Sequence, residues 1–237
     1  MLRLEEVTVR FGGLTALNAV SLAVGAGETV GLVGPNGAGK TTLFNAVSGL
    51  VRPAHGRIVF DSVDVLRIPA HGRARRGIGR TFQVPQPMHG LTVRENLLVA
   101  QRFGAGAVEP ERIAEILDLI QLGHKADRDA VTELSFRELK ALEVGKALAI
   151  GPKLLLLDEV LAGLETAGKR LFMRTLADLR ARFGIAMLII EHDLETVGTL
   201  CQRIAVLNFG ALIADGAPDA VFADPAVIKS YTGGDDA

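Results

Sequence analysis

Gly34-Pro35-Asn36-Gly37-Ala38-Gly39-Lys40-Thr41 has the phosphate-binding spacing G-x-x-x-x-G-K-[ST]. Glycines let the backbone curl until several N–H groups point into one concavity, which suits a polyphosphate. Lys40 adds a point charge for the β- and γ-phosphates, and the Thr41 hydroxyl can ligate Mg²⁺. Glu28–Val33 reads as a buried strand entering the loop. Thr41–Val47 reads as a helix leaving it, with its positive end aimed at the anion. The plain alternative, a Gly-rich connecting turn, is disfavoured because strand, loop, Lys-Thr-Thr and helix occur together. The chain is expected to bind a nucleoside triphosphate through Asn36, Gly37, Ala38, Gly39, Lys40, Thr41 and Thr42.

Two further clusters could act on that ligand. Leu154–Leu157 runs straight into Asp158 and Glu159, and in parallel sheets ligand chemistry sits at the carboxyl ends of buried strands. Adjacent strand residues point opposite ways, so Asp158 is expected to hold the metal while Glu159 polarises the attacking water as general base. His192 follows another apolar run, Ile185–Ile190. There it can hydrogen-bond the γ-phosphate and keep the water and Glu159 in register. His55, His71, His89 and His124 lack such a placement.

The elements that must position these residues follow in order. Leu2–Arg10 alternates as a half-buried strand, Phe11-Gly12-Gly13 turns with an exposed aromatic, and Ala19–Val24 is a second strand. Gly56–Phe60 returns as a strand beyond the loop helix, which suggests a small antiparallel layer beside a parallel core. Pro69–Gly77 carries Arg73, Arg75 and Arg76 without interleaved aromatics and reads as a solvated helix face, not a nucleic-acid patch. After the Pro-broken loop Val84–Met88, residues 92–150 are mostly helical, including Thr92–Arg102 and Pro110–Leu122. Helices Ala167–Phe183 and Leu194–Gln202 and strands Ile204–Asn208 and Ala211–Asp215 follow. Pro218–Tyr231 looks like one or two short helices before a polar, disordered end.

The 237 residues fit one large domain or one domain with an insertion, and 49% hydrophobic content supplies its core. A net charge of -1 gives no global basic field for nucleic acid. The one cysteine, Cys201, cannot form an internal disulfide and reads as apolar filler. Neither a signal-peptide core nor a run of roughly 20 apolar residues is present. A membrane role is expected only through a partner.

These residues resemble the ATP-binding-cassette (ABC) ATPase family over essentially the whole chain. The phosphate loop, Gln83 after Thr81-Phe82, Leu154–Glu159 and His192 fall in the family's order and spacing. The resemblance implies an α/β fold: a RecA-like P-loop core (1–84 and 151–217) with an antiparallel β subdomain, an inserted helical subdomain (85–150) and a C-terminal tail (218–237). It implies ATP and Mg²⁺ as ligands, Phe11 stacking on adenine beside Val20, and Gln83 on Mg²⁺, coupling the site to a membrane partner. Arg75–Gln83, Leu91–Ala100 and the tail look like the ATPase subunits of branched-chain amino acid importers. Such importers pair two ATPases with two permeases and a periplasmic binding protein, placing this subunit peripherally at the cytoplasmic face of the inner membrane. Lipopolysaccharide-export ATPases share Arg-Arg-Gly-Ile-Gly, but Thr81-Phe82-Gln83 and the tail favour import. A cytosolic DNA-repair or translation ATPase would carry two cassettes or long coiled coils. A low-turnover regulatory subunit is a further alternative.

The family's Leu-Ser-Gly-Gly-Gln signature, which clamps the γ-phosphate on the other subunit, here reads Leu134-Ser135-Phe136-Arg137-Glu138. Arg137 stands where a glycine allows close backbone approach to phosphate, and it either obstructs that approach or supplies a guanidinium contact. Ser135 with Glu138 makes a capping box, so the helix is expected either way. Val160 replaces a proline, and Glu165 an aspartate. A weakened signature acts on the partner's ATP, which favours a heterodimer with a second ATPase over a homodimer.

Overall fold

The computed structural model describes residues 1–232. The expected disordered end beyond Thr232 lies outside the described residues. The chain forms two compact units, 1–70 with 186 onward, and 71–185.

The first unit opens with β1 (Leu2–Phe11) and β2 (Leu14–Val24), antiparallel, with Phe11 opposite Leu14 across Gly12-Gly13. The second strand therefore starts five residues earlier than Ala19. A bulge hid it: Ala19 has φ 48°, so Asn18 and Ala19 both face out while Leu17 and Val20 both face in, breaking the period of two. β4 (His55–Phe60) and β5 (Val63–Asp64) complete an antiparallel sheet in the order β2-β1-β4-β5.

Within the same unit, β3 (Thr29–Val33) lies parallel between β8 (Ala186–Ile190) and β9 (Arg203–Asn208), and β10 (Ala211–Gly216) pairs antiparallel with β9. All five residues of β3 and of β8 are buried, as strands covered on both faces should be. α1 (Lys40–Ser48) buries Leu43, Phe44, Ala46 and Val47. α7 (Leu194–Leu200), two residues shorter than expected, presses on β3 so closely that a Cβ on Gly31 would meet Val197 at 2.4 Å. Cys201 is buried beside it, and burial, with Glu191, pushes its thiol up to about 12, leaving an inert filler. α8 (Pro218–Phe222) and α9 (Pro225–Thr232) form the tail.

The second unit holds α2 (Ala70–Arg75), β6 (Ile78–Arg80), α3 (Val93–Gly104), α4 (Pro110–Leu119), α5 (Phe136–Ala149), β7 (Leu154–Asp158) and α6 (Thr166–Phe183). β6 and β7 pair in parallel. α5 is the centre of this unit. Its Gly145 leaves no room for a Cβ, which would meet Ile120 at 2.7 Å and Leu97 at 3.0 Å. One basic residue departs from the solvated face expected over Pro69–Gly77: Arg73 is buried, while Arg75 and Arg76 stay exposed. Among the described residues no helix is long and apolar enough to cross a membrane.

Candidate functional site

In the first unit the loop between β3 and α1 is built around backbone that side chains would spoil. Gly34 has φ 146°, and a Cβ there would sit 2.0 Å from the Leu207 carbonyl. At Gly39, φ is 105° and a Cβ would lie 2.6 Å from the Ala16 carbonyl. Gly39 caps α1, whose first turn holds no acid to compete for an anion. Lys40 is buried, its Nζ donating to the carbonyls of Gly34 (2.6 Å) and Pro35 (2.9 Å). Thr41 is exposed, as are Asn36 and Gly37. Thr42 is half-buried, and the Ala38 side chain is buried with its amide donating to Pro35 (3.2 Å).

Strand register places His192 at the same edge. Leu32 of β3 pairs with Ile190 of β8, so the phosphate loop and Glu191-His192 leave neighbouring strands together. His192 is exposed and Glu191 buried. The Phe11 hairpin also reaches the loop, since Ala16, just past it on β2, supplies the carbonyl against Gly39. Phe11 is 49% exposed and can offer a ring face. Val20 cannot act beside it: it is wholly buried, pairing with Val7 across the antiparallel sheet. The adenine wall expected from Val20 is a core residue, because the bulge at Ala19 turns its side chain inward.

α9 reaches the loop as well, a contact that composition gave no sign of. Lys229 and Ser230 border a cleft of about 580 Å³ shared with Asn36 and Gly37. Desolvation raises the pKa of the Tyr231 phenol, whose residue is 41% exposed, while the Gly34 amide, donating to its oxygen, opposes the rise.

The second unit assembles the carboxylates. β6 and β7 run side by side, and Thr81 continues the ladder by donating its amide to Leu156 (3.0 Å) while its Oγ1 accepts from the Asp158 amide (3.0 Å). Asp158, buried at the end of β7, pairs with the Arg80 guanidinium at 3.4 Å, the Arg80 side chain being 8% exposed. Burial pushes the Arg80 pKa down and Asp158 opposes it. Glu159 departs from the expected geometry: it is past the strand, with φ 50°. Its divergence from Asp158 comes from left-handed backbone, not from strand alternation, and such backbone costs a non-glycine residue about 1–3 kcal/mol. Its Oε2 accepts from Gln83 Nε2 at 2.7 Å, so the loop glutamine and this carboxylate touch directly.

Mg²⁺ fits the chemistry of the donors. Among the described residues no three His, Cys, Asp or Glu side chains group closely enough to hold an ion by themselves. Within the second unit Gln83 and Asp158 offer amide and carboxylate oxygens, the Gln83 carbonyl oxygen facing away from the Nε2 that donates to Glu159, and in the first unit Thr41 offers an exposed hydroxyl. Oxygen donors of these types are the ones a hard cation takes.

The signature region forms the expected helix start. Ser135 caps α5 and makes a reciprocal capping box with Glu138. Phe136 covers Gly163, where a Cβ would meet the ring at 3.2 Å, and the Arg137 stem lies 3.6 Å from the place of a Cβ on Gly168. Arg137 is exposed and folded along the first turn of α6. Glu165 precedes α6 as its N-cap residue without a side-chain capping bond, and Val160 is buried.

Burial works to raise the Glu138 pKa. The Lys125 ammonium at 2.8 Å and the Ser135 amide and hydroxyl outweigh it and hold the carboxyl at about 2. A depressed carboxyl pKa stabilises the fold above its unfolded value of 4.5, and that contribution is lost as pH falls towards 2. Glu138→Gln should therefore lower the thermal midpoint at pH 7, and the gap to the parent chain should close between pH 4.5 and 2. Melting curves by circular dichroism across that range check this.

Sequence reasoning missed three residues of α5. Lys140, Glu143 and Lys146 face inward at intervals of three, Lys140 and Glu143 almost wholly buried. Opposite charges on the apolar side of a helix were the available signal.

Comparison with known proteins agrees with this architecture. Residues 17–162 match the ABC transporter family, and residues 211–237 match the family described as branched-chain amino acid ATP-binding cassette transporter. The chain is 37% identical, over 98% of both proteins, to the high-affinity branched-chain amino acid transport ATP-binding protein BraF of Pseudomonas aeruginosa. It is 36% identical to the probable branched-chain amino acid transport ATP-binding protein LivG of Archaeoglobus fulgidus, over 100% of this chain and 96% of that one. An ATP-binding cassette of an ABC transporter, solved in its ADP conformation, superposes with a TM-score of 0.88 at 34% identity over 98% of each chain. The chain belongs to the ABC transporter family and is one of its ATP-binding cassettes.

Proposed function

We propose that this cassette is the ATP-hydrolysing subunit of an importer for branched-chain or related amino acids, working with permease subunits at the cytoplasmic face of the membrane. The observation that carries this reading is likeness along the full chain to relatives named for that transport, extended by the match of the C-terminal residues 211–237. In this reading Phe11 stacks on adenine, and the loop amides, Lys40 and Thr42 hold the phosphates. Thr41, Gln83 and Asp158 hold Mg²⁺, which supplies charge neutralisation of the phosphate oxygens when bound. Glu159 accepts a proton from water as the oxygen attacks the γ-phosphate and ADP leaves. Gln83 orients Glu159, and His192 steadies the phosphate from the neighbouring strand end.

Two cassettes close over two ATP molecules, each site using the other's signature. Ser135 and Arg137 therefore act on the partner's nucleotide. Because Arg137 replaces the closely approaching glycine, we favour a second, different cassette as partner, so that only one composite site carries the arginine. A periplasmic binding protein delivers the solute to the permeases.

Isolation of the tagged full-length chain from membranes tests both levels. The expected result is co-isolation of integral membrane subunits and a different cassette, in a complex whose ATP turnover rises with a loaded binding protein. Recovery without any integral membrane protein would remove the transporter reading. Recovery with this chain as the sole cassette would remove the heterodimer.

A further inference from the structure

An ammonium is costly to bury without partners, so the position of Lys140 requires an account. Its side chain is almost wholly buried, and Nζ donates to the main-chain carbonyl of Glu159 at 2.6 Å while lying 5.3 Å from the Phe136 ring. Glu159 is the residue whose φ of 50° aims its carboxylate away from the β7 direction, towards Gln83. Left-handed backbone persists at a non-glycine residue only where its surroundings hold it. The bond from Lys140 is such a hold.

The same side of α5 holds the other member of the pair. Glu143 Oε1 accepts from the Gln86 amide at 2.8 Å, and Lys146 Nζ donates to the Gln86 carbonyl at 2.5 Å, with Glu143 and Lys146 themselves paired. Gln86 lies three residues beyond Gln83 on one loop. One helix thus secures both main-chain segments whose side chains meet at the 2.7 Å bond between Gln83 and Glu159.

We propose that Lys140 is a positioning residue for ATP hydrolysis: by holding the Glu159 carbonyl it fixes the direction of the Glu159 carboxylate. The inference rests on the ATPase reading above. It also links two functions through one rigid element, since Ser135, the cap of α5, lies little more than one helical turn from Lys140. A shift of the signature end of α5 is felt at Glu159 of the same chain.

The test is steady-state hydrolysis by the full-length chain in its complex. Lys140→Met keeps the length of the side chain and removes the ammonium. Its kcat should fall about 10- to 100-fold, the scale of a small misplacement of a reacting group. KM for ATP and the affinity for a fluorescent ATP analogue should stay within about threefold, because only hydrolysis is affected. Lys140→Arg, which keeps a charged donor, should recover most of kcat. In a Glu159→Gln background, Lys140→Met should add no further loss. An unchanged kcat in Lys140→Met, a folded Lys140→Arg as slow as the methionine variant, or a full additional loss in the Glu159→Gln background would each overturn the assignment. If Lys140→Met does not fold, Lys140→Gln takes its place and the same outcomes decide. Absence of turnover in the parent complex would instead remove the ATPase reading.

Discussion

Glu159→Gln is expected to leave ATP bound and reduce its hydrolysis by about 10²- to 10⁴-fold, the contribution usual for a positioned general base. The substitution is nearly isosteric. A glutamine at 159 can still accept from Gln83 Nε2 through its carbonyl oxygen, so the 2.7 Å contact and the local backbone need not change. What disappears is the capacity to take a proton from water. The loop expected to hold the phosphates lies between β3 and α1, in the other unit of the chain. Equilibrium binding of a fluorescent ATP analogue should therefore match the parent, while single-turnover hydrolysis slows. Turnover within tenfold of the parent would remove Glu159 as the base and point to phosphate itself as proton acceptor.

Lys40→Ala is expected to act on the other half of the reaction, lowering ATP affinity by about 100-fold, as loss of a hydrogen bond from a charged group is worth about 1.5–3 kcal/mol. Two effects combine. The phosphates lose a cation, and the carbonyls of Gly34 and Pro35 lose the Nζ that now satisfies them at 2.6 and 2.9 Å. Both carbonyls belong to the loop that must cradle the anion, so its shape suffers with its charge. Isothermal titration of the folded variant with ATP reads the affinity. An unaltered affinity would show that the loop amides and the helix end suffice.

The phosphate loop, the strand that feeds it and the helix that leaves it were legible because local chemistry dictates them: glycines at φ 146° and 105°, five buried residues, then Lys-Thr-Thr. The leucine run into Asp158 and the apolar run before His192 were legible for the same reason, as buried strands with polar ends. Val20 was not. A bulge changes which side of a strand each residue takes, and a single positive φ at Ala19 leaves no mark in an apolar pattern. Glu159 shows the converse: its place after a buried strand could be read from the sequence, but its direction comes from backbone that alternation does not describe. Arg73 was read from charge alone, yet it is buried. Lys140, Glu143 and Lys146 escaped because their partners, the main chains of Glu159 and Gln86, are distant in sequence and carry no residue-type signal.

The spacing of those three residues has a consequence for how this segment can change through descent. Each makes its bond with a main-chain atom, so the partners may vary in side chain while the contacts persist. Helical phase is another matter. One residue inserted between Ser135 and Lys140 would turn everything downstream by about 100° and shift it by about 1.5 Å. Lys140 would leave Glu159, and Glu143 and Lys146 would leave Gln86, all at once. A substitution at 137 leaves these three bonds in place, whereas any change of length between Ser135 and Lys140 would break them together.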